Sequence, residues 1–189
     1  MVVCTVDFAY GQARQRDILP YRHFMGTSLW SIRNLFPESA DFYELDYGYR
    51  ITGNDALIVR AITWKYIAPL GIPYGPSFEA KEENYPGYVR AFGLGIGYQR
   101  FVWKGLFAAI HAIPFLQTMH ETGQAKTQKG FQLFLQAQTG YRVNFSRQRF
   151  YIEPSVAFNH WPVNTNLPAS FVPKEHKWPN YFLFEPHLN

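Results

Sequence analysis

The sequence predicts an all-β protein, an eight-stranded antiparallel up-and-down barrel whose strands cross a membrane. Three observations predict it. Aromatic-rich segments alternate in polarity, the links joining them are short and long almost in turn, and aromatic residues collect at both strand ends. Successive side chains of a strand point to opposite faces, so alternation gives one apolar and one polar face.

Composition leaves room for this reading. The chain has 189 residues, 47% of them hydrophobic and 19% aromatic. No run reaches the roughly 18 to 20 apolar residues of a membrane helix, whereas barrel strands hide their apolar signal in alternation. Net charge is +4, but the basic residues are scattered, with Arg14, Arg16 and Arg22 the tightest group. No nucleic-acid partner is expected from that. Cys4 stands alone, so neither an internal disulfide nor a cysteine metal cluster is expected.

Residues 1–25 read as a signal-peptide remnant or an N-terminal extension. Small Ala9 and Gly11 precede Gln12 as at the end of a secretory signal, but the basic leading region is missing. A frayed end or an early strand fits this stretch equally. The barrel domain is assigned to 26–189.

The first strand is placed at 26–35, where alternation is poor and 21–35 also reads as a helix. The second, 42–51, is the clearest: Tyr43, Leu45, Tyr47, Tyr49 and Ile51 oppose Glu44, Asp46, Gly48 and Arg50. The turn Thr52-Gly53-Asn54-Asp55 leads to the third strand, 56–66, whose facing is ambiguous. A Pro- and Gly-punctuated loop covers 67–87. The fourth strand, 88–102, sets Phe92, Leu94, Ile96 and Tyr98 against Gly93, Gly95, Gly97 and Gln99. The fifth, 106–118, is followed by a polar loop at 120–129. The sixth, 130–144, sets Phe131, Leu133 and Leu135 against Gln132, Gln136, Gln138 and Arg142. The seventh, 149–161, puts Glu153, Ser155 and Asn159 on its polar face. A loop at 162–180 leads to the last strand, 181–189, with Glu185 and His187 on one side. Pro154 and Pro186 lack a ladder donor and each marks a bulge or break.

Links after strands two, four and six are tight, and those after three, five and seven are long. Outer-membrane barrels sort their links in this way. Trp64, Tyr66, Trp161 and Trp178 fall at the long-loop ends of strands, and Trp103 and Phe145 at the tight-turn ends. Together they read as an aromatic girdle.

With these patterns the chain resembles the small eight-stranded outer-membrane β-barrel proteins of Gram-negative bacteria, in texture the uncharacterised barrels of the Bacteroidota. The resemblance covers 26–189 and rests on pattern, not on a motif. It implies location in the cell outer membrane with surrounding lipid as partner. Such barrels often end on an aromatic residue, and here the chain reads Leu188-Asn189 instead.

The expected lumen network is Glu44, Asp46, Arg50, Arg60, Gln99, His111, Gln132, Gln136, Gln138, Arg142, Glu153 and Glu185, with Asn159 and His187 beside them. An eight-stranded interior is just wide enough for side chains to fill, so these groups must pair with one another. A narrow polar channel is the functional alternative to a filled interior.

No catalytic residue, metal site or cofactor is assigned. His111, His120, His160, His176 and His187 lack metal-ligand spacing. His160 lies near Thr165 and Ser170 in sequence, but no motif makes a nucleophile pair. Gly93-Leu94-Gly95-Ile96-Gly97 alternates within a strand with no helix after it, so it makes room for bulky neighbours such as Phe134 or Tyr151 and binds no phosphate. Asn144-Phe145-Ser146 matches a glycosylation sequon by chance.

Three functions follow. The first is a non-enzymatic outer-membrane barrel acting as anchor, surface-interaction protein or narrow pore. The second is a lipid-modifying barrel enzyme with a His-Ser or His-Asp pair at its rim. The third is a soluble lipocalin-like carrier with the opposite facing. The loops at 67–87 and 162–180 are the expected surfaces for a protein or ligand partner.

Overall fold

The computed structural model describes residues 21–36, 41–67, 72–73, 84–125, 127–146, 149–177 and 179–188. Alternation yields strands wherever it was clear. In chain order these are β1 (His23–Gly26), β2 (Tyr43–Arg50), β3 (Asp55–Ile67), β4 (Ile72–Pro73), β5 (Gly87–Trp103) and β6 (Leu106–Glu121). They continue with β7 (Thr127–Tyr141), β8 (Val143–Phe145), β9 (Phe150–Ile152), β10 (Pro154–Asn164) and β11 (Tyr181–Leu188). The main sheet runs β1-β2-β3-β5-β6-β7-β10-β11, with β4 on β3, and β8 and β9 form a separate small hairpin. Every pairing among the described strands is antiparallel. The molecule is therefore an all-β meander. Among the described residues no ladder joins β1 to β11.

The turns follow from local chemistry. Thr52 Oγ1 accepts from the amides of Asn54 (3.2 Å) and Asp55 (3.0 Å), which tightens the β2–β3 hairpin. Between β5 and β6 the chain reverses at Lys104-Gly105, with Lys104 at φ 50. Pro154 opens β10 directly after Glu153, where β9 has ended. Pro186 follows Phe184 (φ 57), where the β10–β11 register shifts between Ala157 and Asn159. Both prolines thus stand at irregularities of the ladder.

Three expectations need correcting. The first strand is not 26–35. Its strand is only His23–Gly26, and Leu29–Leu35 is a 3-10 helix. Ser28 caps that helix by accepting from the Trp30 amide (3.3 Å). Half of the polar loop at 120–129 is strand, because backbone ladders form irrespective of side-chain polarity. His120 pairs with Thr127, leaving a link of 122–126. The long-short sorting is weaker at that link. The sixth strand ends at Tyr141, and the residues after it build the β8–β9 hairpin.

One face of the sheet is buried on itself. On β3, which the sequence left open, Ile58, Arg60 and Ile62 are buried while Leu57 and Val59 are exposed. Arg60 on β3 donates to Gln136 on β7 (2.9 Å), and Gln117 on β6 donates to Tyr66 on β3 (2.8 Å). Strands two and three apart in the sheet touch only if the sheet curls around that face.

The register shows how it curls. Met25 lies across from Tyr47, then Val59, Ile96, Ala112, Leu135 and finally His160. Yet the Met25 carbonyl accepts from the Tyr151 hydroxyl (3.0 Å), nine residues before His160 in the chain. A row that returns so far out of step requires strands tilted to the axis about which the sheet curls.

Gly93, Gly95 and Gly97 of β5 make the inner face possible, although the nearest side chains are Ile113, Phe115 and His111 and not Phe134 or Tyr151. A Cβ on Gly93 would lie 2.7 Å from Ile113 and 2.8 Å from Phe115, and one on Gly97 would lie 2.1 Å from His111. Adding it should overpack the interior by about 1–3 kcal/mol. Gly97→Ala is accordingly expected to lower the urea midpoint of unfolding without changing the m-value, whereas Ile96→Ala next door should shift it less.

Candidate functional site

Strand alternation sends charge inward at two levels. At the tight-turn end, Arg142 follows β7 and its Nε donates to Glu153 Oε1 (2.6 Å). Its Nη2 donates to Gln99 Oε1 (3.2 Å), and Gln99 Nε2 donates to the same Glu153 oxygen (3.0 Å). The guanidinium is also sandwiched by rings, 4.3 Å from Tyr151, 4.6 Å from Phe24 and 4.8 Å from Phe101. Rings compensate for lost water by attracting the cation electrostatically.

The second level is centred on Arg60, which is 2% exposed. Its Nε and Nη2 donate to the two carboxylate oxygens of Asp46, each at 2.7 Å. This is the planar two-pronged geometry that suits a guanidinium. Glu44 Oε1 lies 3.4 Å from Nη2 without a hydrogen bond. A chain of amides leads away from Arg60. Gln136 Oε1 accepts from Nη1 (2.9 Å), Gln136 Nε2 donates to Asn159 Oδ1 (3.0 Å), and Asn159 Nδ2 donates to Glu185. Four strands are linked by one directed sequence of donors.

Above this level the interior turns apolar. Ile62, Tyr66, Ile113, Phe115, Met119, Phe134, Trp161 and Phe171 form one buried cluster. The loop after β10 closes over it. Phe171 is fully buried, and the short helix α1 (Val172–Lys177) brings Glu175 to accept from Trp161 Nε1 (3.2 Å) and Asn164 Nδ2 (3.0 Å). The loop at 162–180, expected to be a partner surface, therefore spends part of its length as a plug. Most of the other expected partner loop, 67–87, lies outside the described residues.

Most expected network residues are buried on this face. Glu44, Asp46, Arg60, Gln99, His111, Gln132, Gln136, Gln138, Arg142, Glu153, Asn159 and His187 are all buried. They do not form one network. Gln138 turns aside to donate to Ser155 Oγ (2.5 Å). Neither ring nitrogen of His111 hydrogen-bonds, and Gln132 Oε1 has no donor. Arg50 is only half-buried, with its guanidinium 6.0 Å from the Phe24 ring, and Glu185 is also half-buried.

The girdle assignment divides. Trp103 and Phe145 are 64% and 46% exposed at the tight-turn end. Tyr66 and Trp161 are not girdle residues, since both are buried inside the plug. Their positions gave the signal, because Tyr66 shares the parity of Arg60 and Ile62, and Trp161 that of Asn159. Trp64 is half-buried against Phe42 and Tyr66. Trp178 lies outside the described residues. Tyr151 and Gln117 had not been picked out for their cross-sheet bonds.

Among the described residues, no three His, Cys, Asp or Glu side chains are grouped to hold a metal ion. His160 Nδ1 bonds the Asn180 carbonyl (3.0 Å), and Ser170 donates to Glu121.

Removing one partner of a buried pair leaves an uncompensated charge, which costs about 3–5 kcal/mol. Arg60→Met should therefore destabilise the fold by about that much. The double variant Asp46→Leu/Arg60→Met should recover most of the loss in a thermodynamic cycle of unfolding free energies. Additive losses would mean that the pair does not act as a unit.

No family model matches this chain, and neither does any curated protein or solved structure.

Proposed function

We propose that this chain is an eight-stranded outer-membrane β-barrel protein with a closed interior, a non-enzymatic anchor or surface-interaction protein and not an open pore. One observation carries the reading: across β3, β5, β6 and β7 the outward face is a charge-free band between two charged rows. Its four rows run from Leu57, Tyr98, Ile110 and Ala137 to Thr63, Phe92, Leu116 and Phe131 across β3, β5, β6 and β7. The row before them holds Asp55 and Arg100, and the row after them holds Lys65, Arg90 and Lys129.

Size supports it too. Asp55 to Lys65 is ten residue steps on one strand, about 34 Å at roughly 3.4 Å per residue. Tilted by about 45°, that becomes a band about 25 Å tall, the height of the apolar belt on outer-membrane barrels. Ile96 is 70% exposed, Leu116 67% and Ile110 62%. So large an apolar surface in water would drive association, whereas in lipid it is the required outer surface. A lipocalin-like carrier needs the reverse facing, apolar in and charged out.

A closed interior rather than a pore is supported by the plug of Trp161 and Phe171 at one end and the ring-sandwiched Arg142 at the other. The non-enzymatic reading is supported by the main-chain partner of His160. Surrounding lipid is the partner this surface requires.

The chain should need detergent or lipid to fold, and the unboiled protein should migrate differently from the boiled protein in a gel. No stepwise conductance should appear in a planar bilayer. A monomer stable in water without detergent would overturn the proposal. Ile96→Arg gives a sharper measure. In a bilayer it should cost about 2–4 kcal/mol near the midplane. In a water-soluble fold the same exposed substitution should stay within about 0.5 kcal/mol.

A further inference from the structure

The wall has a seam. β1 ends at Gly26, opposite Asp46, so, among the described residues, 43–45 of β2 have no strand on that edge. Side chains take its place. Thr27 Oγ1 donates to the Glu44 carbonyl (2.6 Å), and the Asn34 amide both donates to the Phe42 carbonyl (2.6 Å) and accepts from the Phe42 amide (3.0 Å). Across the gap stands the edge of β11. Inside this gap the interior holds a cavity of about 80 Å³, lined by Trp30, Phe42 and Glu44, by Glu185 and His187 of β11, and on the inner wall by residues such as Ile113 and Phe134.

The charges around it do not balance. Arg60 also lines this cavity, but its two-pronged bond is spent on Asp46. Glu44 Oε1 keeps a 3.4 Å ion-pair contact with Arg60, which it shares with Asp46, and Glu185 is hydrogen-bonded by the neutral Asn159 amide, so one guanidinium faces three carboxylates. Glu44 is 4% exposed, and its Oε1 accepts no hydrogen bond. A protonated His187 would offset one excess negative charge and leave another. A buried carboxylate oxygen without a hydrogen-bond donor is costly. The missing group is therefore a cation that also carries N–H donors. Aromatic rings at the mouth add the attraction of a ring face for a cation.

We propose that this seam cavity binds a primary ammonium group carried on an alkyl chain. The ammonium donates to Glu44 and Glu185, and the chain leaves past Trp30 and Phe42 toward the apolar outer surface. A volume of about 80 Å³ holds the head and the first few carbons only, since one liquid water occupies about 30 Å³. Passage of the tail into surrounding lipid rests on the outer-membrane reading, whereas capture of the head does not.

The intact folded chain would be titrated with n-butylammonium, n-butanol and tetramethylammonium, followed by tryptophan fluorescence and calorimetry. n-Butylammonium is expected to saturate the site and to bind at least tenfold tighter than the alcohol, which lacks charge, or the quaternary ion, which lacks donors. Glu44→Gln should reduce that preference at least tenfold. Trp30→Ala, at an exposed position of the mouth, should keep the fold and weaken binding severalfold. Equal binding of the three probes, or no saturation, would overturn the site. So would an undiminished preference in Glu44→Gln, or in Trp30→Ala should Glu44→Gln fail to fold. All three probes dissolve in water, so the titration works with or without detergent. A detergent-free soluble protein that prefers n-butylammonium would overturn the membrane reading and keep the site. A lipid-folded protein that ignores it would overturn the site alone.

Discussion

Arg60 cannot reach water, and much of the structure answers to that fact. Strand parity points it inward along with Ile58 and Ile62, so a guanidinium sits where apolar side chains would pack more easily. A buried cation is tolerated only when its donors are met and its charge is opposed. Asp46 does both from the neighbouring strand, and Gln136 does the first from the far side of the curled sheet. The second bond matters for the fold, since it ties β3 to a strand three places away. A sheet held in this way cannot flatten without stranding a charge.

The interior is then layered by what each level must neutralise. Arg142 has one carboxylate, Glu153, and takes the rest of its compensation from Phe24, Phe101 and Tyr151. Tyr151 works twice, because its hydroxyl also holds the Met25 carbonyl of β1. At the opposite end the space is filled by rings and Met119, with Glu175 of the closing loop reaching Trp161 Nε1. Its one buried phenol, Tyr66, is paired with Gln117, so the apolar layer hides few unmet polar groups. Outside, on β3, β5, β6 and β7, the order is inverted, with charged rows bordering an apolar band.

Alternation was legible wherever it was pure, as in 42–51, because a period of two has one structural solution. It could not say which face was inside, which depends on the rest of the sheet. The first strand was illegible because Ser28 starts a helical turn only two residues after the last strand residue, within one window of sequence. The 120–129 segment was misread for a different reason. Its polarity reads as a loop signal, although a strand that has passed the apolar band carries polar side chains and keeps its backbone ladder. Tyr66 and Trp161 were assigned by residue type when parity, the stronger constraint, already placed them inside. The pairing of Arg60 with Asp46 follows from register, and the directed chain from Gln136 to Glu185 follows from curl, which no local pattern contains.

The seam is a consequence of the same tilt. Because the row from Met25 returns nine residues out of step, β1 meets Tyr151 at the small β9 strand and not the edge of β11. The part of β2 beyond Gly26 then faces that edge with no strand between them. The chain could have lengthened β1 to fill the space. Ser28 instead caps a 3-10 helix there, and Thr27 and Asn34 bond the β2 edge through side chains. Side-chain bonds satisfy backbone groups as well as a ladder does, but they do not make a continuous wall. An opening next to Glu44 thus follows from ending β1 at four residues, and it comes where the interior carries its least balanced charge.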